Sequence, residues 1–318
     1  MIIAESPLKD AYRRFTWGPW RRLLEAAPPG WDYRASQQIG RLAGRLSAKK
    51  RADVVANLRR AFPDRSDLDR VAQAAFGAHF ENQYASFAFG RLNATNWGRW
   101  LRFEGLEHLD RAARDGVGVV LMHPHMGPAQ LPLAALGALG RPVHQVGGGA
   151  VQVEKSETGN WASAERGRLE ARMQVTLHDG TGFLRGLLRA LGSGGIVLTA
   201  CDGTGGGKEL GRRLERTVLG QPMGVPVTPF WLARRSGARL HTLYTARDPL
   251  DPRRHASFIG PEVPVTRDGS VDEALEAGAT FTAAWLTLVL SRHPEAWLFW
   301  DEFRPGGLLM PAVEPKKP

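Results

Sequence analysis

The sequence predicts an α/β fold in which a helical N-terminal layer precedes a mixed, mostly parallel sheet flanked by helices. Three observations lead to this prediction. Apolar residues recur at helical spacing over about the first 100 positions, β-rich runs alternate with helical segments from Gly116 onward, and a long helical pattern follows Ser270. No internal repeat or low-complexity linker divides the 318 residues, so we expect one continuous domain.

The first part of that domain, residues 1–48, is predicted to be amphipathic and helical. Residues 12–24 interleave aromatic side chains with arginines, a mixture that suits a bilayer interface. The same pattern also fits a helix whose aromatics pack on the domain while its arginines face water. Both interpretations stay open at this point.

Residues 49–115 are predicted to form a helical layer. Their apolar residues recur at close to four-residue spacing, as in Leu68, Ala72, Phe76, Phe80 and Phe87. Ser66 and Asp69 predict a capping box at the start of this helix.

Residues 116–304 are predicted to form the α/β core, and the Pro-rich residues 305–318 a loose tail. The strands are expected near 117–122, 143–146, 173–177, 195–200, 216–219 and 239–245. The helices between them are expected at about 129–139, 160–171, 182–192 and 225–236. A last long helix begins at Ser270, with Glu273 completing its capping box.

Composition limits the possible functions. The chain has 42 Lys and Arg against 32 Asp and Glu, a net charge of +10 that favours anionic partners. Its single cysteine, Cys201, excludes an intramolecular disulfide framework and a Cys-based zinc site, and it fits a reducing, intracellular compartment. No apolar run approaches the roughly 18 residues of a membrane span, the longest being short ones such as 281–290.

Several catalytic and binding motifs are absent from the sequence. The glycine-rich segment 203–207 precedes Lys208, but a phosphate-binding loop needs glycine where Asp202 stands and Ser or Thr where Glu209 stands. Neither the Gly-x-Ser-x-Gly elbow nor the His-Glu-x-x-His zinc motif occurs, so we expect no metal. No nucleic-acid-binding module is recognisable, and we expect no nucleic-acid partner.

The candidate catalytic residue is His125. The buried-strand pattern at 117–122 runs into a turn that contains His123, Pro124 and His125, and a histidine there can exchange protons near neutral pH. His123 is the rival base. Because Pro124 favours an extended backbone, the two side chains are expected to point to opposite faces and not to share one site.

Five blocks of this sequence, in order, resemble those of bacterial lipid A late acyltransferases and their mannoside-acylating relatives, within the lysophospholipid acyltransferase superfamily. The blocks are residues 57–64, 125–130, 201–204, 217–238 and 293–300. The resemblance spans roughly residues 50–300 and implies a lysophospholipid acyltransferase-like fold. It also implies transfer of a fatty acyl group from an acyl carrier protein or coenzyme A thioester to a hydroxyl, less often an amine, of a lipid or glycolipid acceptor.

The resemblance implies no resident cofactor, because the acyl thioester is a co-substrate. Many family members carry an N-terminal membrane span. The short apolar runs of this chain instead suggest a peripheral hold on the inner face of the cell membrane, with the protein on the cytoplasmic side.

The chain departs from the family at the acid that follows the catalytic histidine by five residues, because His125 and Gln130 form an HX4Q motif. Gln130 could hold the imidazole through its amide oxygen, but it brings no negative charge. Three outcomes follow: a slow enzyme, a rewired one, or a catalytically impaired lipid- or acyl-binding relative. Rewiring needs another acid near His125, and Asp202 is the best candidate because it ends a strand.

The resemblance also suggests substrate-binding residues. Arg168 and Arg172, four residues apart on one predicted helix face, lie where the family places an arginine that meets the anionic substrate, although a solvated basic face is the alternative. Backbone N–H groups around Gly127 and the next helix could stabilise an oxyanion. Lys208, Arg212 and Arg213 could contact phosphate, although a charged surface loop is the alternative that their sequence favours. An acyl groove would be lined by residues near these motifs, most of which are expected to belong to the core: Met126, Phe183, Leu184, Phe230 and Trp231.

Overall fold

A computed structural model describes residues 6–146, 156–178, 183–203 and 211–310. The helical N-terminal part begins with helices α1 (Pro7–Phe15) and α2 (Arg21–Ala26), joined by a π-helical segment, Thr16–Trp20, that contains Pro19. Helices α3 (Trp31–Leu46), α4 (Ala48–Ala61) and α5 (Leu68–Tyr84) complete the layer, followed by the 3-10 helices Ala85–Arg91 and Trp97–Arg99.

The core contains nine strands in the described residues. They are β1 (Leu101–Glu104), β2 (Val119–His123), β3 (Val143–Val146), β4 (Thr176–His178), β5 (Ile196–Ala200), β6 (Arg213–Val218), β7 (Gln221–Pro226), β8 (Arg239–Arg247) and β9 (His255–Val263). The remaining α-helices are α6 (Leu106–Arg114), α7 (Leu131–Ala138), α8 (Glu157–Glu170), α9 (Phe183–Gly192), α10 (Thr228–Ser236) and α11 (Val271–Arg292), with a 3-10 turn at Pro294–Ala296.

Seven strands form one sheet in the order β1-β9-β8-β2-β5-β3-β4. Every neighbouring pair is parallel except β8 and β9, and β6 with β7 forms a separate antiparallel hairpin. Helices precede and flank this sheet, so the predicted fold class is confirmed. The strand β2 lies at the centre between β5 and β8, with all five residues buried, as its Val- and Leu-rich sequence predicts.

Some predicted elements differ from those in the structure. β1, β7 and β9 were not predicted, because β1 has only four residues, β7 has proline at its second and last positions and β9 contains Gly260 and Pro261. The capping box at Ser66 is wrong: α5 begins at Leu68 after Asp67, and the Asp67 carboxylate binds Arg65 and Arg70. The capping box of Ser270 with Glu273 at the start of α11 is present.

Among the described residues, α11 is the one helix long and apolar enough to cross a membrane by length and composition, which the search for apolar runs did not show. Half of its most apolar window is buried inside the fold. Gly278 lets it approach Phe230 closely, and the Thr282 hydroxyl contacts the Met122 sulfur of β2 at 3.4 Å. Packing in the core therefore accounts for this composition.

The start of the segment expected to be a loose tail is packed against the core. Leu308 and Leu309 are buried, and the Met310 N–H donates to the Pro222 carbonyl at 3.0 Å. Residues 311–318 lie outside the described part of the chain.

Candidate active site

Sheet register brings His125 and Asp202 together. His123 at the end of β2 lies opposite Ala200 at the end of β5, and the Cys201 N–H donates to the His123 carbonyl at 3.0 Å. His125 lies two residues after His123, and Asp202 lies two residues after Ala200. Since the two strands are parallel, both side chains emerge at the same carboxyl edge of the sheet.

The two side chains share a short hydrogen bond. His125 Nδ1 lies 2.8 Å from Asp202 Oδ1, and the His125 backbone N–H donates to Asp202 Oδ2 at 2.7 Å. The Trp297 indole N–H donates to the same Oδ2, also at 2.7 Å. Because an ionised carboxylate only accepts, the bond assigns the imidazole proton to Nδ1 and leaves Nε2 as the basic nitrogen.

Asp202 is fully buried, whereas 31% of the His125 side chain is exposed. The acid of the pair is therefore sealed from solvent, whereas the base is partly accessible. The Phe299 ring lies 4.6 Å from the imidazole, centroid to centroid. Gly203 has no space for a side chain, because a Cβ there would lie 2.7 Å from Phe299 and 3.5 Å from His125.

Burial and charge act against each other on this pair. Burial lowers the pKa of His125, but the Asp202 charge, their hydrogen bond and the Glu302 charge raise it, and the resulting pKa lies above the usual 6.5. Burial raises the pKa of Asp202, but the His125 charge and the bonds from His125 and Trp297 lower it below its ordinary value. The arrangement thus stabilises a protonated imidazole beside an ionised carboxylate.

His123 is in a different state. It is buried, and burial lowers its pKa to about 4, so the ring is neutral at pH 7. Its Nε2 has no hydrogen-bond partner among the described residues. The two histidines were expected not to share one site, but their ring centroids are 5.8 Å apart. Of the two, His125 has both the carboxylate and the access to solvent.

Comparison with known proteins identifies the family of this chain. A family model described as bacterial lipid A biosynthesis acyltransferase matches residues 17–302. The chain belongs to this acyltransferase family. The resemblance inferred from the sequence blocks is therefore confirmed.

Individual relatives are more distant. Lipid A biosynthesis acyltransferase 2 of Shigella flexneri is 26% identical over 130 residues, covering 40% of this chain and only 41% of that protein. A crystal structure of the 1-acyl-sn-glycerophosphate (LPA) acyltransferase PlsC from Thermotoga maritima aligns with 83% of this chain and 99% of its own, with a TM-score of 0.37 and 13% identity.

The structure separates Gln130, at the position where the family resemblance places an acid, from the imidazole it was expected to hold. The Gln130 amide N–H donates to Glu170 at 3.2 Å, and its amide oxygen accepts from Arg166 at 3.3 Å. Asp202 takes the imidazole N–H instead, because the register of β2 and β5 aims it there. A second acid beside His125 is what the rewired outcome requires, and Asp202 occupies that position.

The expected oxyanion donors are placed differently from the prediction. The Gly127 N–H is already bonded to the Ala296 carbonyl at 2.8 Å, and the Ala129 N–H to the Asn82 side chain at 3.1 Å. Helix α7 begins only at Leu131, two residues later than the predicted 129. These contacts fix the turn firmly but occupy the Gly127 donor that was proposed for catalysis.

Arg168 and Arg172 do not share a helix face, because α8 ends at Glu170. Arg168 is mostly exposed and pairs with Glu165. Arg172 follows the helix and lies against Gly90. The structure thus shows a partly paired basic surface here, the alternative considered from the sequence.

The residues considered for an acyl groove and for phosphate contacts lie partly in the core and partly on the surface. Met126 and Phe230, expected in a groove, are buried in the core, whereas Leu184 and Trp231 are half-buried at its edge. Arg212 pairs with Asp272, and Arg213 donates to the Gly203 carbonyl. Lys208 and the side chain of Phe183 lie outside the described part. Within the described residues, no group of three or more His, Cys, Asp or Glu side chains could hold a metal ion.

Sequence reasoning missed the residues that close the site from the C-terminal side. The Leu298 N–H donates to the His125 carbonyl at 3.0 Å, and Trp297 and Phe299 contact Asp202 and His125. All three belong to the block 293–300, whose resemblance to the family was the only signal available. Nothing in the sequence indicated which of its aromatic residues meets the carboxylate.

Proposed function

We propose that this protein transfers a fatty acyl group from an acyl carrier protein or coenzyme A thioester to a hydroxyl, or an amine, of a lipid or glycolipid acceptor. Family membership supports acyl transfer to a lipid. The observation on which our proposal rests is the bond from the His125 Nδ1–H to the buried Asp202, which leaves Nε2 as the basic nitrogen of a side chain that is 31% exposed.

In the proposed reaction, His125 Nε2 takes the proton of the acceptor hydroxyl while its oxygen attacks the thioester carbonyl carbon. The negative charge of Asp202 stabilises the imidazolium that forms. Collapse of the tetrahedral intermediate breaks the carbon–sulfur bond, and the imidazolium returns its proton to the leaving thiolate. The products are an ester and a free thiol. A well-placed base of this kind contributes roughly 10² to 10⁴-fold in rate.

The alternative of an impaired, merely lipid-binding relative was based on the neutral Gln130. That reason no longer holds, because Asp202 already supplies a charged acid to the imidazole. The net charge of +10 suits an acidic carrier protein and the phosphates of coenzyme A equally, so it does not choose the donor.

We further propose that the protein is cytoplasmic and holds to the inner membrane face through its N-terminal helices. α3 packs on α5 through Gly40 and Gly44, where a Cβ would lie 2.6 Å and 2.9 Å from atoms of Phe76. Its opposite side exposes Trp31, Ile39, Leu42 and Leu46, by 63%, 36%, 55% and 78%. Arg34, Arg41 and Arg45 lie beside this apolar stripe on the same helix.

The segment 12–24 supports both interpretations made from the sequence. Trp17 and Leu24 are buried against the domain, with Trp17 edge-on to Phe87. Phe15 and Leu23 are exposed, as Leu8 is. An apolar surface with adjacent arginines fits a bilayer that contains anionic lipids.

Vesicle sedimentation tests the membrane proposal. Replacing Leu42 and Leu46 together by Asn is expected to weaken binding to phosphatidylglycerol-containing vesicles by about tenfold or more, because two exposed apolar side chains that would enter the bilayer are lost. Leu250→Asn is the matched control, since Leu250 is 77% exposed but lies outside the N-terminal helices. Equal binding by the double variant and the control would refute this attachment.

The catalytic proposal is tested with a labelled acyl thioester and a membrane lipid extract. The wild-type protein is expected to label a lipid, and His125→Ala to lose at least about 10²-fold of that rate. His108→Ala is the control, because His108 is a half-buried histidine on α6 that stacks on His241. Full labelling by His125→Ala, or no labelled lipid with either donor class, would contradict the proposal.

A further inference from the structure

A second polar cluster holds the other end of the turn between β2 and α7. It consists of Gln130 in the turn and Arg166 and Glu170 on α8. Glu170 Oε1 accepts from Arg166 Nε at 2.7 Å and from Gln130 Nε2 at 3.2 Å, and Gln130 Oε1 accepts from Arg166 at 3.3 Å. The three side chains therefore form a closed ring of hydrogen bonds.

The ring requires a neutral amide at position 130. Gln130 must donate to a carboxylate and accept from a guanidinium at the same time, and an amide side chain has one group of each kind. A glutamate there has no donor for Glu170 and would place two carboxylates at hydrogen-bond distance. Gln130 is thus complementary to Glu170, and the negative charge of this cluster belongs to α8.

We infer that Gln130 and Glu170 are positioning residues, which act as one unit to fix the turn that carries His125 against α8. The inference rests on the proposed function, in which His125 is the base. Gln130 is the residue that immediately precedes α7, and it follows His125 by five positions. Displacing it would loosen the turn on its α7 side, while Asp202 keeps its bond to the imidazole.

Contacts of α8 extend the effect of the cluster. The N-terminal half of α8 is bonded to α1 through Ser156 to Asp10 at 2.6 Å and Arg14 to Thr158 at 3.2 Å. Arg21, at the start of α2, binds Glu165 at 2.8 Å. The cluster therefore joins the catalytic turn, through one helix, to the N-terminal helices that expose apolar side chains.

A reciprocal exchange of the acid and the amide tests this inference. Gln130→Glu and Glu170→Gln, each alone, are expected to lower kcat about tenfold with KM little changed, because a contact that positions the base is lost. The double variant again has one acid, one amide and Arg166 between them. It is expected to return to within about threefold of the wild-type kcat.

The chain offers a matched control for this exchange. Gln73 on α5 donates to Asp69 at 2.6 Å and accepts from Arg45 at 3.3 Å, the same chemistry on the N-terminal helices. Gln73→Glu is expected to leave kcat unchanged. In all variants the acidic limb of the pH profile is expected to stay in place, because Asp202 still sets the pKa of His125.

The wild type, the two single variants at positions 130 and 170, and the double variant are also unfolded by heat without substrate. Each single variant is expected to lower the melting temperature, and the double variant to recover it. Recovery of stability without any detectable turnover would refute the proposed acyl transfer while supporting the coupled unit. The inference would be overturned if the double variant lost as much kcat and as much melting temperature as the two single variants combined. A gain in kcat for Gln130→Glu alone would also overturn it.

Discussion

Asp202 and Glu170 hold opposite ends of the turn that carries His125, in different surroundings. Asp202 is fully buried and accepts from the His125 backbone, the His125 ring and Trp297. Glu170 keeps 19% of its side chain exposed and accepts from Arg166 and Gln130. The first carboxylate comes from a neighbouring strand of the sheet, the second from a helix that packs on the turn.

The difference shows what each carboxylate can do. A buried charge interacts strongly with its partner because little water screens the pair, whereas a partly exposed ion pair contributes far less. Asp202 can therefore stabilise a cation on His125 during a reaction. Glu170 can hold a geometry, but it has no contact through which to alter the imidazole charge.

The largest expected effect comes from neutralising Asp202, compared with neutralising Glu170 in a separate variant. Asp202→Asn is expected to lower kcat by about 10³- to 10⁴-fold, because the imidazolium loses its counter-charge and the tautomer is no longer fixed. Glu170→Gln is expected to lose only about tenfold. Turnover of the labelled acyl thioester measures both.

Near-ultraviolet circular dichroism shows whether each variant keeps its tertiary packing. Equal losses of kcat in folded Asp202→Asn and Glu170→Gln would contradict the difference proposed between the two carboxylates. A larger loss of kcat in Glu170→Gln would reverse it.

Trp297→Phe sharpens the comparison at the buried end. It removes one of the two donors to Asp202 Oδ2 and leaves the His125 N–H, so we expect kcat to fall about tenfold. Trp300→Phe is the control: Trp300 is also buried, packs edge-on against Trp297 and donates to the Pro294 carbonyl, not to Asp202. Equal activity losses in the two variants would mean that packing, and not the indole bond, matters there.

A smaller effect is expected at Gly127, in the middle of the turn. Its φ of +56° is left-handed, and a Cβ would lie 3.0 Å from the Thr245 carbonyl oxygen. Gly127→Ala is expected to lower the free energy of unfolding by about 1 to 2 kcal/mol, measured by chemical denaturation. Gly140, with φ +72° and open space around it, is the control for the backbone cost alone. If Ala costs the same at both positions, the close approach of β8 does not constrain the turn.

Much of the central sheet was predictable because its signals are local. The runs of β2 and β5 are apolar and lie next to Gly or Pro, and strands alternate with helical segments along much of this part of the chain. The same reasoning placed Asp202 at the sheet edge near His125. It could not give the register of β2 and β5. That register places His123 opposite Ala200, so His125 and Asp202, each two positions further on, meet.

The surroundings of the turn were less predictable because they depend on contacts distant in sequence. Gln130 and Glu170 are 40 positions apart, and no sequence pattern links them. Only the structure shows that they are partners. Trp297 reaches Asp202 from 95 positions away. β1 and β9 pair at the edge of the sheet with short or Pro-containing sequences that local periodicity does not detect.

The pH dependence of kcat/KM in the wild type and in Asp202→Asn tests the central claim most directly. A general base must be unprotonated, so the rate falls as pH drops through the pKa of His125, which Asp202 holds above 6.5. We therefore expect an acidic limb centred above pH 6.5 in the wild type. In Asp202→Asn we expect it to move to lower pH, with a much lower plateau, because burial alone lowers the histidine pKa. A limb that keeps its midpoint in Asp202→Asn would show that the group that titrates is not His125 paired with Asp202.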